Sequence, residues 1–202
     1  MTVISRRTLV PLVGKSALAL ERAKRLAGII TKLGGVVRTA RVVCGGDVGS
    51  IEVLARFQDF TSATKTNAAL ATDAEMLSLW QERERDPSAN ITGPYVYRSV
   101  WGEVSRLPVI VQREYQVSRQ NLPNLLALLP DAHNAVAKQP MLATIPVFAP
   151  QMDRMVVSYY SESIEHMGRN LDQYGMSEAF QAVVQEAARF GTIIGARMLA
   201  ET

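Results

Sequence analysis

Charged and aromatic side chains alternate with apolar ones along several short runs of this sequence. In the run IEVLARF, Glu52 and Arg56 alternate with apolar residues, and in PYVYRSVW the aromatic residues Tyr95, Tyr97 and Trp101 are spaced by two or four positions. This period of two predicts β-strands whose polar side chains share one face. Guanidinium groups bind anionic oxygens through charge-assisted hydrogen bonds, and aromatic rings pack on a ligand ring. The chemistry indicated is therefore the binding of an acidic or phenolic small molecule.

Residues that ligate metals or act as nucleophiles are scarce. The chain contains two histidines, His133 and His166, and a single cysteine, Cys44. No His-x-x-x-His or Cys/His pairing is present, so no metal site is predicted. Cys44 precedes two glycines in a hairpin-like segment, which favours a free thiol over a nucleophile. One cysteine also argues against a disulfide scaffold and favours a cytoplasmic protein.

Composition narrows the possible classes further. The 202 residues are 48% hydrophobic and 20% charged, with a net charge of +3. Such a chain has enough apolar residues for a core, no apolar run long enough to span a membrane, and too little positive charge to indicate a nucleic-acid partner. Arg6 and Arg7, followed by an apolar stretch, are similar to a twin-arginine export signal, but the charged residues Lys15 and Glu21 break that pattern. We therefore expect this segment to be the first strand of the fold.

An internal repeat indicates how the strands are arranged. The segment IEVLARFQDFTSATKTN at positions 51–67 and the segment RMVVSYYSESIEHMGRN at positions 154–170 match at an offset of 103 residues. Each is a strand-like run that breaks at a polar turn and enters a helix. In the same way, VISRR at positions 3–7 lies over VIVQR at positions 109–113. The repeat predicts two domains, residues 1–104 and residues 105–202.

Each half is predicted to contain strand, helix, strand, strand, helix and strand in that order. The first half runs Val3–Val10, Lys15–Leu33, Val36–Cys44, Ile51–Phe57, Ser62–Arg85 and Pro94–Trp101. The second half runs Val109–Val117, Gln120–Lys138, Met141–Phe148, Arg154–Tyr160, Ile164–Phe190 and Thr192–Leu199. Pro130 is expected to split the first helix of the second half, because proline disrupts a helix interior.

This order is that of the ferredoxin-like, or split βαβ, unit, an α+β fold with an antiparallel sheet. In this element order, and in the strand–turn–helix segments that end at Asn67 and Asn170, the chain resembles the dimeric α+β barrel superfamily, which includes antibiotic-biosynthesis monooxygenase-like and NIPSNAP-like proteins. The resemblance implies two βαββαβ repeats whose sheets face each other as an intramolecular barrel, in a monomer or a homodimer. It also implies a small-molecule ligand and no resident cofactor, with haem ligation by His133 or His166 as the alternative.

Strand alternation then assigns side chains to the barrel interior. The apolar residues Val53, Ala55 and Phe57 are expected to pack under helices, which leaves the residues between them facing inward. The predicted substrate-binding set is Arg6, Arg41, Glu52, Arg56, Tyr95, Tyr97, Trp101, Gln112, Glu114, Tyr159 and Arg197. The alternative is that Arg56, Arg6, Glu52 and Glu114 pair with one another as a structural network that closes the barrel.

Two kinds of function are consistent with such an interior. One is cofactor-independent, monooxygenase-like oxidation of an aromatic or acidic substrate, in which an arginine stabilises an oxyanion and Glu52 or Glu114 acts as the base. The other is non-catalytic ligand binding or a purely structural barrel. The enzymatic hypothesis rests on the resemblance, since the sequence carries no catalytic motif.

Overall fold

The computed structural model describes all residues from Met1 to Thr202 and contains eight strands and seven α-helices. The strands are β1 (Val3–Pro11), β2 (Val36–Gly45), β3 (Ile51–Phe57), β4 (Ala89–Gly102), β5 (Val109–Val117), β6 (Met141–Phe148), β7 (Arg154–Ser161) and β8 (Gly191–Glu201). The helices are α1 (Ser16–Lys32), α2 (Phe60–Leu70), α3 (Ala74–Arg85), α4 (Leu122–Ala127), α5 (Leu129–Ala135), α6 (Ile164–Asn170) and α7 (Glu178–Ala187), with a π-helical turn at Leu171–Gly175.

The eight strands close into one antiparallel barrel in the order β1-β3-β2-β8-β5-β7-β6-β4. The orders β4-β1-β3-β2 and β8-β5-β7-β6 within it are the same ferredoxin-like arrangement, which confirms the predicted fold class. We call β1–β4 with α1–α3 the first half and β5–β8 with α4–α7 the second half. The division into domains 1–104 and 105–202 stays a prediction, because all eight strands belong to a single barrel.

The helices lie on the outer faces of the two sheets. In α1 the buried residues Ala19, Ala23, Leu26 and Ile30 recur every three or four positions, which is the period of an amphipathic helix. The apolar layers between sheets and helices contain clusters of 14 buried residues in the first half and 16 in the second, whereas the cluster inside the barrel has six. Most of the core therefore lies outside the barrel, and part of the barrel interior is free to form a cavity.

Two of the predicted helices are interrupted. The segment predicted as one helix from Ser62 to Arg85 breaks before Asp73, whose carboxylate caps α3 by accepting a hydrogen bond from the Met76 amide. The segment predicted from Ile164 to Phe190 contains the π-helical turn and a new start at Ser177. Serine and aspartate favour such starts because their side chains satisfy otherwise free amides of the first turn. The predicted split at Pro130 is confirmed, since α4 and α5 meet there.

Residues 103–108, which we call the linker, connect the two halves and cross one end of the barrel. Val104 and Leu107 of the linker pack against the apolar cluster inside the barrel. None of the seven helices combines the length and the apolar character needed to cross a bilayer.

Candidate functional site

The barrel contains a cavity of about 390 Å³ at the end crossed by the linker. This volume falls within the range of small-molecule sites, roughly 300–1,000 Å³. Its charged lining consists of Arg6, Arg38, Arg56 and Arg106 against a single carboxylate, Glu201, which is exposed. We call this space the barrel cavity; its excess of guanidinium groups suits an anionic ligand.

Arg6 and Tyr97 come from the neighbouring strands β1 and β4 and lie together on the cavity wall. The guanidinium carbon of Arg6 is 5.1 Å from the centre of the Tyr97 ring, which is a cation–π contact. Burial raises the pKa of the Tyr97 phenol, and the positive charge of Arg6 only partly opposes that effect. Tyr97 is therefore a neutral phenol near pH 7, able to donate a hydrogen bond to a bound anion.

Arg38 connects the cavity to the linker. Its guanidinium nitrogens donate hydrogen bonds to the carbonyl oxygens of Leu107 at 3.1 Å and Ser105 at 2.9 Å. Tyr160, on the same cavity wall, has its pKa raised to about 12 by burial, while the charge of Arg38 acts weakly in the opposite direction. Arg38 thus contributes to the cavity lining and at the same time fixes the segment that crosses its end.

Beside the cavity, a buried ion pair joins the two halves. Arg197 of β8 contacts the Glu52 carboxylate of β3 at 2.7 Å, and Glu52 is completely buried. Thr8 donates a hydrogen bond to the same carboxylate oxygen, and Arg197 also donates one to Gln112, which lines the cavity. One oxygen of Glu52, one nitrogen of Arg197 and Nε of Arg6 have no hydrogen-bond partner in the protein. Polar groups buried in this way favour a further polar group nearby, because leaving them unsatisfied costs free energy.

The structure brings several predicted residues together. Arg6, Arg56, Tyr97 and Gln112 line the barrel cavity. Glu52 and Arg197 form the adjacent ion pair, whereas the structural alternative predicted that Glu52 would pair with Arg6 or Arg56. Tyr95 pairs with Arg6 across β1 and β4 without lining the cavity. Glu114 lies farther along β5, where it contacts Arg154 at 3.4 Å.

Tyr159 does not face the barrel interior. It belongs to the apolar layer between the second sheet and its helices, where its ring meets Phe180 edge to face. The strand pairs Val3–Phe57 and Val109–Ser161 are equivalent, so β1 and β5 are offset by 106 residues but β3 and β7 by 104. The predicted offset of 103 between β3 and β7 is therefore wrong by one residue. A shift of one residue along a strand moves every predicted side chain to the opposite face.

Trp101 and Arg41 also lie on the outer face of the barrel. A β-bulge between Ser99 and Trp101 reverses the alternation in β4, so that the Trp101 ring packs against His133 with the ring centres 5.2 Å apart. A bulge adds a residue to one strand and thereby redirects the side chains that follow it. Arg41 pairs with Ile51, which belongs to the helix-facing core, and is therefore directed outward as well.

The cavity residues that the prediction missed include two arginines and a tyrosine, namely Arg38, Arg106 and Tyr160. In the β2 segment VVRTARVV both alternating sets contain one arginine and several apolar residues, so polarity does not distinguish the faces. Arg106 belongs to the linker, outside any alternating pattern. Tyr160 is displaced from its correct assignment by the same offset of one residue that misplaces Tyr159.

Comparison with known proteins identifies the fold. Neither a protein-family model nor a curated protein sequence matches this chain. Three solved structures are similar over nearly their whole length: an anthrone oxidase-like protein (TM-score 0.66, 12% identity, 100% of this chain and 91% of the other), a monooxygenase-like protein from Listeria innocua (0.53, 9%, 100% and 94%) and a heme-binding protein from Thermus thermophilus (0.54, 11%, 99% and 90%). These proteins share with this chain an α+β barrel fold consistent with two ferredoxin-like repeats. At these identities the likeness establishes the fold of this α+β barrel and no particular activity.

The histidines of this α+β barrel do not fit a haem site. Neither His133 nor His166 lines the barrel cavity. His133 is packed against Trp101, and His166 belongs to α6, on the outer face of the second sheet. No cluster of three metal-ligating side chains occurs in the protein either.

Proposed function

We propose that the barrel cavity binds an anionic small molecule that contains an aromatic ring. The observation that carries this proposal is the concentration of four guanidinium groups around one cavity with a single, exposed carboxylate among them. Arg6 and Arg56 would contact the anionic oxygens, and the ring of Tyr97 would pack against the ligand ring. The apolar residues Ile4, Leu54 and Ile110 on the same walls favour a ligand with a hydrophobic body.

We further propose that the bound molecule is a substrate for cofactor-independent, monooxygenase-like oxidation. In such a reaction a substrate methylene group and O₂ give a carbonyl group and water, so that the substrate loses two hydrogens and gains one oxygen. The substrate itself supplies the electrons, and the protein stabilises the anion from which they leave. The names of the anthrone oxidase-like and monooxygenase-like structural neighbours support this class of reaction.

The carboxylates predicted as bases are poorly placed for that role. Glu52 is held by Arg197 and Thr8, and Glu114 contacts Arg154; neither lines the cavity. The arginines instead favour the deprotonated form of an acidic substrate, because a nearby cation lowers the pKa of an acid. The reaction therefore needs a substrate that is acidic enough to ionise without a dedicated base.

The same observation favours a second candidate, a barrel that binds its ligand without changing it. A cavity lined by cations and a phenol, with the exposed Glu201 as its one carboxylate, contains all that recognition of an anion requires. Turnover in the presence of O₂ distinguishes the two functions, since ligand binding is common to both.

Anthrone is a suitable first probe, because its oxidation by one O₂ gives anthraquinone and one water. Binding would be measured by titration without oxygen, and turnover by O₂ uptake together with the absorbance of anthraquinone. We expect Arg56→Ala to reduce both, whereas Arg41→Ala, which removes an outward arginine of a neighbouring strand, should change neither. Binding without O₂ uptake would select the non-catalytic function. Equal behaviour of the two variants would refute the assignment of the cavity.

A further inference from the structure

A second cavity, of about 280 Å³, lies between the first sheet and its helices. It is on the opposite face of β1 and β3 from the barrel cavity, and α2 forms much of its wall. The rings of Phe57, Phe60 and Phe148 surround it, together with Ile30 and Leu70. We call this space the outer pocket; its walls suit a flat or elongated apolar group.

One charged side chain, Arg7, lines the outer pocket. Arg7 follows Arg6 in β1, and because successive side chains of a strand point to opposite faces, the two arginines serve different cavities. None of the eight ion pairs of the protein includes Arg7. Burial lowers the pKa of Arg7, and no carboxylate or hydrogen-bond acceptor offsets that effect.

A partly desolvated guanidinium group without a partner is unfavourable, and an anion bound beside it would supply the missing partner. The lining of the outer pocket contains no aspartate or glutamate that could serve as that anion. Its remaining polar groups include Ser5 and the exposed amide of Asn67. Phe148 at the pocket edge is 66% exposed, so that its ring adds apolar surface beside the opening of the pocket.

In the second half, the space equivalent to the outer pocket is filled by side chains. By strand register Arg113 is the counterpart of Arg7, because Arg7 pairs with Val53 and Arg113 with Val157. The guanidinium carbon of Arg113 lies 5.9 Å from the centre of the Tyr159 ring and 5.0 Å from that of Phe180. The residual space there is about 20 Å³. Side chains of the protein itself thus occupy in the second half the volume that is open in the first.

We propose that the outer pocket binds a hydrophobic monocarboxylate, with its carboxylate on Arg7 and its apolar body between Phe57, Phe60 and Phe148. This site is separate from the barrel cavity and goes beyond the function proposed for it. The ligand takes the place in the first half that aromatic side chains take in the second, and its negative charge supplies the partner that Arg7 lacks.

The test uses 2-naphthoate as the probe, with the full-length protein. Titration calorimetry should show a binding event that is weakened about tenfold or more in Arg7→Gln, the loss expected for one charge-assisted hydrogen-bonded pair. Arg41→Gln, which removes an outward arginine that lines neither cavity, should leave this event unchanged. Nuclear Overhauser contacts from the naphthalene protons should reach the rings of Phe57, Phe60 and Phe148.

Two further measurements keep the result independent of any effect of Arg7→Gln on folding. Ala63→Leu adds a side chain to the α2 wall of the pocket and should block 2-naphthoate without lowering the melting temperature. Neutral 2-naphthalenemethanol should bind the native protein about tenfold or more weakly than the acid. Absence of binding, or 2-naphthoate binding that Arg7→Gln leaves unchanged, would overturn the proposal. Failure of anthrone to bind the barrel cavity would leave these results unaffected, because the two sites lie on opposite faces of the sheet.

Discussion

The two layers between sheet and helices share a scaffold but differ in what fills them. Where the second half has Tyr159, the first half has Ala55, since these residues pair with Val111 and Ser5 at equivalent positions of β5 and β1. The second layer is closed around Phe180 and Tyr159, and the first retains the outer pocket. A repeat fused in one chain is free to differ between its copies, so one layer can serve stability while the other keeps space for a ligand.

The arginines of the two layers show the same contrast. Arg113 is stacked on two aromatic rings, which stabilise its charge through their electron-rich faces. Arg7 has no such contact and no ion pair. We therefore regard the second layer as a fully packed core. In our proposal, the first layer becomes fully packed when a ligand binds the outer pocket.

Truncation of Tyr159 should give the largest effect. Tyr159→Ala removes a ring that is buried beside Phe180 and leaves a cavity, so we expect the free energy of unfolding to fall by about 3–5 kcal/mol. Phe148→Ala at the edge of the outer pocket removes a largely exposed ring and should change that free energy by less than about 0.5 kcal/mol. Urea denaturation of both variants measures the difference. Comparable losses would show that the ring at the outer pocket is part of a packed core.

Loss of the ion pair between the halves should give the second-largest decrease in the free energy of unfolding. Glu52→Gln keeps the size of the side chain but leaves Arg197 without its anion, and we expect a loss of about 3 kcal/mol. By register the counterpart of Glu52 in the second half is Val156, so this pair exists at only one of the two equivalent positions. The control is Glu114→Gln, whose half-exposed pair with Arg154 should contribute about 1 kcal/mol or less. A result in which both variants lose the same amount would argue against a special role for the buried pair.

High pH should destabilise the protein mainly through the second half. Burial raises the pKa of Tyr159, and it raises that of Tyr160 to about 12, whereas unfolded tyrosine ionises near pH 10. Above pH 10 the unfolded state therefore releases protons that the native state retains, and stability falls as the pH rises toward 12. Tyr159→Phe should reduce this fall by about 1.4 kcal/mol per pH unit, the contribution of one proton. The measurement is denaturation at a series of pH values, and parallel curves for the two proteins would contradict the assignment.

Removal of a helix cap should give the smallest decrease in the free energy of unfolding, and the decrease should be similar in the two halves. Ser177 accepts a hydrogen bond from the Phe180 amide at the start of α7, and Asp73 accepts one from the Met76 amide at the start of α3. We expect Ser177→Ala and Asp73→Ala each to cost about 1 kcal/mol, since caps act through the backbone and not through the layer that the helix covers. A clearly larger loss for Ser177→Ala would mean that the cap also fixes the Phe180 ring in the filled layer.

The order of elements and the barrel could be predicted from the sequence because they depend on periodicity, which survives small errors of position. The inward direction of Arg6, Glu52 and Arg56 followed from clear alternation between polar and apolar residues. Tyr159 was misplaced because a repeat with weak identity fixes an alignment only to within a residue, and one residue decides the face of a strand. The direction of the Trp101 side chain depends on a β-bulge, and no residue pattern in the segment RSVWG indicates that bulge.

Function was less predictable than fold, and Arg7 shows why. The sequence presents Arg6 and Arg7 as an identical pair, and nothing in their types indicates that one faces a cavity inside the barrel and the other a pocket outside it. That distinction depends on Ala55 and Phe148, which are far from Arg7 in the sequence and acquire their meaning only when the sheet is formed.

The hydrogen bonds between Arg38 and the linker have a consequence for the rate of ligand exchange. The guanidinium group that faces the barrel cavity also holds the carbonyl groups of Ser105 and Leu107. An anion that binds Arg38 would compete with those carbonyls, so its arrival would loosen the linker at this end of the cavity. For a ligand that enters at this end, the walls of the barrel would set affinity, and the movement of the linker would set residence time.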